Sequence, residues 1–384
     1  MNVLISIDGL SYKIFERYSQ QFISNGFSYI KKIITTFPSV TFNAHATAIT
    51  GNNHHKHSVF DNILSRSETI ERIPLYDDHE IICNEALHRQ TLFHSLSMNN
   101  LKSSSIHWPL TSGNPYINHL VTESSSKKKI QKPDSVYEID RIALHETMQS
   151  IESNSYPFIA TRFIGYDALS HKYGKDSLEA TEHVQILFEY VNQIYNMLEK
   201  SQKSYNLLVF SDHGQSDVET FFYPNEVLAQ TRWKKHLFEQ EIRFITDGSG
   251  SLLFYSLLDR QQNREIMDYF NDLNEVNHFY EVEAESNSQF KPVGILDLKH
   301  TVCGEDIFTP EEPKYKELKS LHGYHPTAVD EMNGFMVCIG DQINKGKIIE
   351  QERIENIAPT LAKLSQIQHD CNGEEINDII REFE

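Results

Sequence analysis

Residues 207–215 read LLVFSDHGQ. The strongly apolar run Asn206–Phe210 describes a buried strand, and it ends at Asp212 and His213. The stretch VLISIDGL, residues 3–10, has the same form: a short apolar run, Val3–Ile7, then a turn at Asp8-Gly9. Phe158–Ile164 is a third such run and ends near Asp167. Helical patterns separate them. Val136–Ile151 and Ser177–Lys200 read as helices, the second carrying Ala180, Val184, Leu187, Phe188 and Val191 at helical spacing. Strands alternating with helices predict an α/β fold, a mostly parallel sheet with helices on both faces. Sites in such sheets gather beyond the carboxyl ends of strands, where Asp8, Asp167, Asp212 and His213 fall.

The remaining elements follow from the same reading. Tyr12–Asn25 is amphipathic and reads as a helix, and Ile33–Phe37 is an apolar run closed by Pro38. A helix is expected to begin at Thr41, with Ala44, Ala46, Ala48 and Ile49 in its body and Gly51 as its stop. Its free N–H groups and positive dipole end suit a phosphate. Residues 52–85 look irregular, with weak strands. From about residue 216 the pattern changes. Ile242–Ile245, the turn Asp247-Gly248-Ser249-Gly250 and Leu252–Leu257 predict a hairpin, with a helix at Arg264–Leu273 and a strand at Phe279–Val282. Gly334–Ile339 and a helix over Ile357–Leu364 return to the core. The expected organisation is a core of residues 1–215 and 321–384, with a smaller α+β cap inserted at 216–320.

Bulk properties narrow the classes. The 384 residues are 39% hydrophobic and 23% charged, ordinary for a globular protein with a real core. The net charge of −19, from 35 basic and 54 acidic residues, argues against a nucleic-acid polymer as partner. Lys127, Lys128 and Lys129 read as a solvated loop. Cys83, Cys303, Cys338 and Cys371 are scattered without a CxxC pair, which predicts a reducing compartment and no thiolate zinc site. No signal-peptide pattern opens the chain and no apolar run is long enough to span a bilayer, so a cytoplasmic protein without a membrane partner is expected. Oligomeric state is left open.

Six segments carry Asp, His, Thr or Asn at strand ends: Asp8, Thr41, Asn62, Asp167 with His171, Asp212 with His213, and His322. Asp167 and His171 are four apart, so one helical face presents both to one ion. Carboxylates and imidazoles suit zinc, and manganese or iron accept the same ligands. Enough ligands for two divalent metals, beside one hydroxyl, is machinery for attack at phosphorus. His54, His55 and His57 resemble a metal tract by composition but read as a structural or supporting loop.

The segment FPSVTFNAHATAITGNNHHKHSVFDN, residues 37–62, resembles the nucleophile block of the nucleotide pyrophosphatase/phosphodiesterase family, within the alkaline phosphatase superfamily. Pro38, Thr41, Phe42, His45, Thr50, Gly51, His57 and Asn62 fall in the family's register. The strand-Asp-Gly opening, the D-x-x-x-H-x-Y-G segment, SDHG, HGY and the closing IAPTLAKL follow in its order, over nearly the whole chain. The resemblance implies an alkaline-phosphatase-like fold and two divalent metals. Asp167, His171 and His322 would hold one; Asp8, Thr41, Asp212 and His213 the other. Thr41 would be the nucleophile and form a covalent phospho-threonyl intermediate, and Asn62 would donate to a phosphoryl oxygen. Phe42, Trp108 and Tyr116 would line the leaving-group or base pocket of a small phosphorylated substrate.

The chain departs from the family at Asn43-Ala44, at Leu110 after Trp108-Pro109, and at His325-Pro326. None is a proposed ligand, but substrate selection lives in such loops. A phosphonate hydrolase is the enzymatic alternative, and a metal-binding scaffold without turnover the alternative from another class. A monoesterase is disfavoured because no Arg lies in the nucleophile block, and a sulfatase because Thr41 cannot become formylglycine.

Overall fold

A computed structural model describes residues 1–76, 86–87, 89–130, 135–282, 288–307, 315 and 317–381. Cys83 and part of the irregular 52–85 stretch lie outside them.

The core is an eight-stranded sheet. In chain order its strands are β1 (Asn2–Ile7), β2 (Ser28–Ile34), β3 (Ser103–Ile106), β4 (His119–Val121), β5 (Phe158–Phe163), β6 (Asn206–Phe210), β7 (Gly334–Gly340) and β8 (Ile348–Arg353). Across the sheet they run β8-β2-β7-β6-β1-β5-β3-β4. All pairings are parallel except the two that β7 makes with β2 and β6. That reversal has a use. The amino end of β7 lies at the edge where the other strands end, so the chain delivers His322 there before entering the sheet.

Alternation along β1 divides the core. Val3, Ile5 and Ile7 pack with Ala143 and Leu144 of α2 (Val136–Ser153) and Val184, Leu187 and Val191 of α4 (Leu178–Lys200). Leu4 faces the other layer, with Ala44 and Ala48 of α1 (Thr41–Thr50) and Ile357 and Leu361 of α5 (Ile357–Leu364). Between β5 and α4 lies the short α3 (Gly165–Tyr173).

A second, antiparallel sheet has the order Ile242–Ile245, Ser251–Ser256, Gly294–Leu298, Val276–Glu281. One face carries the helix Arg260–Asn271, through Ile266, Met267 and Phe270. The other, through Ile245, Leu253 and Tyr255, joins the cluster of Phe42, Val59 and Phe60 just after the start of α1. The hairpin read from 242–257 is present.

Several sequence expectations shift. Tyr12–Asn25 is two short helices, Tyr12–Glu16 and Ser19–Ser24. Of the Ile33–Phe37 run only Ile33 and Ile34 are in a strand, the end of β2, which starts at Ser28. The helix expected over Arg264–Leu273 spans Arg260–Asn271, because Asp259 caps it by accepting from Gln262 N four residues before the expected start. The 52–85 stretch holds a helical turn, His54–His57, and a small hairpin of Ile63–Ser65 with Arg72–Pro74. Lys127 is not on a solvated loop: it ends the short helix Glu123–Lys127 and faces a cleft. Among the described residues no helix is long and apolar enough to cross a membrane.

Candidate active site

Thr41 is the first residue of α1, after Val40 in extended backbone. Val40 offers no side-chain cap, and Asn62 supplies one instead: its Oδ1 accepts the Phe42 N–H at 3.0 Å. Gly51, at φ +64°, ends the helix as expected. One turn on, His45 Nδ1 donates to the Thr41 carbonyl at 2.8 Å. That fixes its tautomer, so Nε2 accepts from Ser6 Oγ at 3.0 Å.

β1 and β6 are neighbours, and their ends bring Asp8, Asp212 and His213 together, all fully buried. The Gly9 N–H donates to Asp212 Oδ1 at 3.1 Å. Gly9 has φ +73°, and a Cβ there would lie 2.7 Å from Asp167 Oδ1, so glycine is what lets Asp167 approach this loop. Asp167 and His171 share one face of α3, as their spacing predicts, with His171 Nε2 3.4 Å from Asp167 Oδ2. His171 Nδ1 is aimed by the Ser320 carbonyl at 2.8 Å. Ser320-Leu321 pairs antiparallel with Ser216-Asp217, which draws His322 beside His213 at 4.1 Å between ring centres.

Four atoms converge. His213 Nε2 lies 3.1 Å from Thr41 Oγ1, 3.2 Å from Asp212 Oδ2 and 3.4 Å from Asp8 Oδ1. Ligands about 2.0–2.1 Å from a tetrahedral zinc stand roughly 3.3 Å apart. Asp8 Oδ1 and Asp212 Oδ2 are buried and without hydrogen-bond partners, although such atoms are almost always satisfied. A cation between them would satisfy both. Asp167 Oδ1 lies 3.9 Å from His322 Nε2, and Asp167, His171 and His322 form one group able to hold a metal ion. A second group joins Asp8 and His213 to Asp167 rather than to Asp212. Asp167 therefore stands between the two positions.

Electrostatics sharpen the contrast. Burial raises the Asp8 carboxyl well above its ordinary range, with help from Asp212 and Asp167 and opposition from Arg162. Burial pushes the same way on Asp167 and Asp212, but the imidazoles prevail: His171 foremost holds Asp167 low, and His213 and His45 hold Asp212 low. Burial, then His213, pushes His322 well below its usual value, leaving a neutral ring fit to ligate.

A cleft of about 440 Å³ opens over this centre. Thr41, Phe42, Asn62 and Trp108 line it. Trp108 packs edge-on against His45 at 4.8 Å. Leu110, at the family's glycine position, lines it too and sits at φ +60°, a conformation that explains a glycine there. Tyr116 lies elsewhere: it is half-exposed, set against His94 at 4.2 Å, and does not line the cleft. His57 bonds to Thr47 Oγ1 at 3.0 Å and accepts from the Val59 N–H, so it braces α1 outside the centre.

Arg162 was missed by sequence reasoning, as were Glu123 and Lys127. Arg162 projects from β5 into the cleft, donates to Asp8 and lies 3.3 Å from Glu123. Glu123 pairs in turn with Lys127 at 2.7 Å. A charged residue inside the mostly apolar run FIATRFI was the available signal. Gln215, whose Nε2 donates to Asp167 Oδ1, left no such mark.

Residues 2–293 match the family model for type I phosphodiesterase / nucleotide pyrophosphatase. The chain belongs to that family. This phosphodiesterase is also similar to human ectonucleotide pyrophosphatase / phosphodiesterase 5, with TM-score 0.77, 17% identity, and 99% of each chain covered. The murine counterpart gives 0.76 at 15% identity, covering 98% of this chain and 99% of that one. A further murine structure, an inactive threonine-to-alanine variant in complex with AMP, scores the same. At these identities the likeness is one of fold, which is alkaline-phosphatase-like. No curated protein matches the chain by sequence. The phosphodiesterase is a hydrolase acting on phosphodiester bonds.

Proposed function

We propose that this phosphodiesterase cleaves a small phosphodiester or pyrophosphate in two steps, with Thr41 as the covalent nucleophile. The observation that carries the reading is the convergence of Thr41 Oγ1, His213 Nε2, Asp8 Oδ1 and Asp212 Oδ2, the two carboxylate oxygens being buried without a hydrogen-bond partner. Asp8, Thr41, Asp212 and His213 would hold one divalent ion, and Asp167, His171 and His322 the other, with zinc the best fit to the donors. Bound there, the ions would lower the pKa of the hydroxyl and of water and neutralise phosphoryl charge.

Thr41 Oγ1 attacks phosphorus in line, and the first alcohol or phosphate leaves on the far side. The start of α1 holds the phosphoryl group, with Asn62 Nδ2 donating to a non-bridging oxygen because its Oδ1 is engaged by Phe42. Water then enters from the vacated side, near Asp167, His171 and His322, and releases Thr41 and the second product. The AMP complex of a threonine variant in the murine neighbour supports a nucleotide-sized substrate. Residues 216–320 would act as a cap beside the leaving group. The cytoplasm remains our proposed compartment, supported by Cys303, Cys338 and Cys371 being free thiols.

Turnover of bis-p-nitrophenyl phosphate against p-nitrophenyl phosphate, with zinc supplied, tests the reading. We expect a diester preference abolished by chelation and by Thr41→Ala. Turnover that persists in Thr41→Ala would overturn the covalent step. A monoester preference would overturn the reading of the Asn62 pocket.

A further inference from the structure

Asp140 lies on α2, outside the cleft and fully buried. Its Oδ1 accepts the Ile164 N–H at 2.8 Å, and its Oδ2 accepts the Gly165 N–H at 2.9 Å and His183 Nε2 at 2.8 Å. His183, also fully buried, comes from α4, and Tyr137 packs edge-on against it at 4.8 Å. Ile164 and Gly165 are the cap and first residue of α3, the helix that carries Asp167 and His171. Ile164 has no side chain able to cap, so the cap comes from another helix. The packing leaves no slack. A Cβ on Gly165 would lie 2.1 Å from His183 Nε2 and 2.4 Å from Asp140 Oδ2.

We propose that Asp140 and His183 are positioning residues for the Asp167/His171/His322 metal site. One carboxylate ties three helices at a single point, two residues before Asp167. It fills the orphan donors of the α3 amino end with an anion, which the helix dipole favours. His183 Nε2–H fixes the carboxylate's orientation, so both oxygens stay aimed at the backbone. The α3 frame is thereby locked at its first turn, and Asp167 and His171 inherit their separation from it. Outer partners of metal ligands typically contribute 10–100-fold in metal affinity. Asp140 and His183 would act in that way through the backbone, touching neither metal nor substrate. The inference rests on the two-metal reading above.

The test is zinc affinity of the metal-stripped full chain, measured by competition with a chromophoric chelator, alongside thermal melting of the same metal-free samples. Asp140→Asn retains shape but sets an amide N–H₂ against an N–H donor. We expect zinc affinity to fall 10–100-fold while the metal-free protein still melts cooperatively. His183→Gln keeps a donor and should recover part of the loss relative to His183→Ala; it also serves if Asp140→Asn does not fold. Variants that fold and bind zinc as tightly as wild type would overturn the clamp alone. Lowered melting temperature with unchanged affinity would make these residues merely structural and would also overturn it. Wild type that binds no zinc would sink the two-metal reading instead.

Discussion

Arg162 holds one oxygen of Asp8 and leaves the other for the site. Its Nε and Nη2 both donate to Asp8 Oδ2, at 2.6 and 2.5 Å, while Asp8 Oδ1 has no hydrogen-bond partner and lies 3.4 Å from His213 Nε2. A buried carboxylate without compensation would take up a proton. The guanidinium opposes that and orients the free oxygen in one move.

Removing Arg162 should therefore act through Asp8. Arg162 lowers a carboxyl that burial raises, so its loss moves the Asp8 pKa further up. Metal binding needs the carboxylate form, so the acid limb of zinc binding in Arg162→Ala should shift to higher pH. Breaking a buried pair costs about 3–5 kcal/mol. Arg162→Lys should recover only part, as a point charge cannot reproduce the fork. Chelator competition between pH 5 and 9 reads the limb, and superimposable profiles would refute the role.

Thr41→Ala should reduce diester turnover by about 10³-fold or more. The fold should survive, because the hydroxyl's hydrogen bond is to His213 within the site. Thr41→Ser should retain measurable activity. Acid-quenched mass spectrometry should find a phosphorylated peptide containing residue 41 in wild type and none in the alanine variant.

Asn62 caps α1 through the Phe42 N–H and, in the proposed reaction, donates to a phosphoryl oxygen; substitution separates the two. Asn62→Ala loses the cap on Phe42, about 1 kcal/mol, and the donor amide, about 10²-fold in kcat. Asn62→Asp keeps an acceptor for the Phe42 N–H but loses the donor. Its melting temperature should stay near wild type while turnover falls. Equal activity in Asn62→Asp and wild type would remove the phosphoryl-oxygen role.

Asp297 gives a pH dependence independent of any metal. Burial pushes this carboxyl up to about 6, against hydrogen bonds from Asn277 and the His325 N–H. The unfolded chain ionises near 4 and the folded one near 6, so the folded state binds the extra proton between them. Its stabilising contribution is present below about pH 4 and is lost as pH rises to 6, up to about 3 kcal/mol. Melting curves from pH 4 to 7 should slope downward in wild type relative to Asp297→Asn. Parallel curves would exclude it.

The gathering of the candidate site's residues was legible because its side chains sit where strong local signals end. Asp8, Asp212 and His213 terminate apolar runs, Asp167 and His171 share a helical face, and Thr41 opens a helix stopped by glycine. Less legible were the elements without hydrophobic signal. β3 is the sequence SSSI, with Ser103, Ser104 and Ser105 buried; Ser104 Oγ and Ser150 Oγ satisfy each other at 3.0 Å. Such a strand depends on partners distant in sequence, here one 46 residues away and the flanking strands β4 and β5. The exposed edge strand β8 shows the same limit.

The sequence by itself determined the fold class, the strands β1, β5 and β6 and the residue types at their ends, because periodicity and turn chemistry are properties of neighbouring residues. Only tertiary structure decided which Asp and His atoms lie close enough to share a metal ion, as with Asp167 between two groups. It alone brought Arg162 to Asp8, Asn62 to the start of α1, and Asp140 with His183 to α3. Those contacts span 20 to 154 residues. They are set by which strands pair and which helices pack together, and no local window of sequence encodes that.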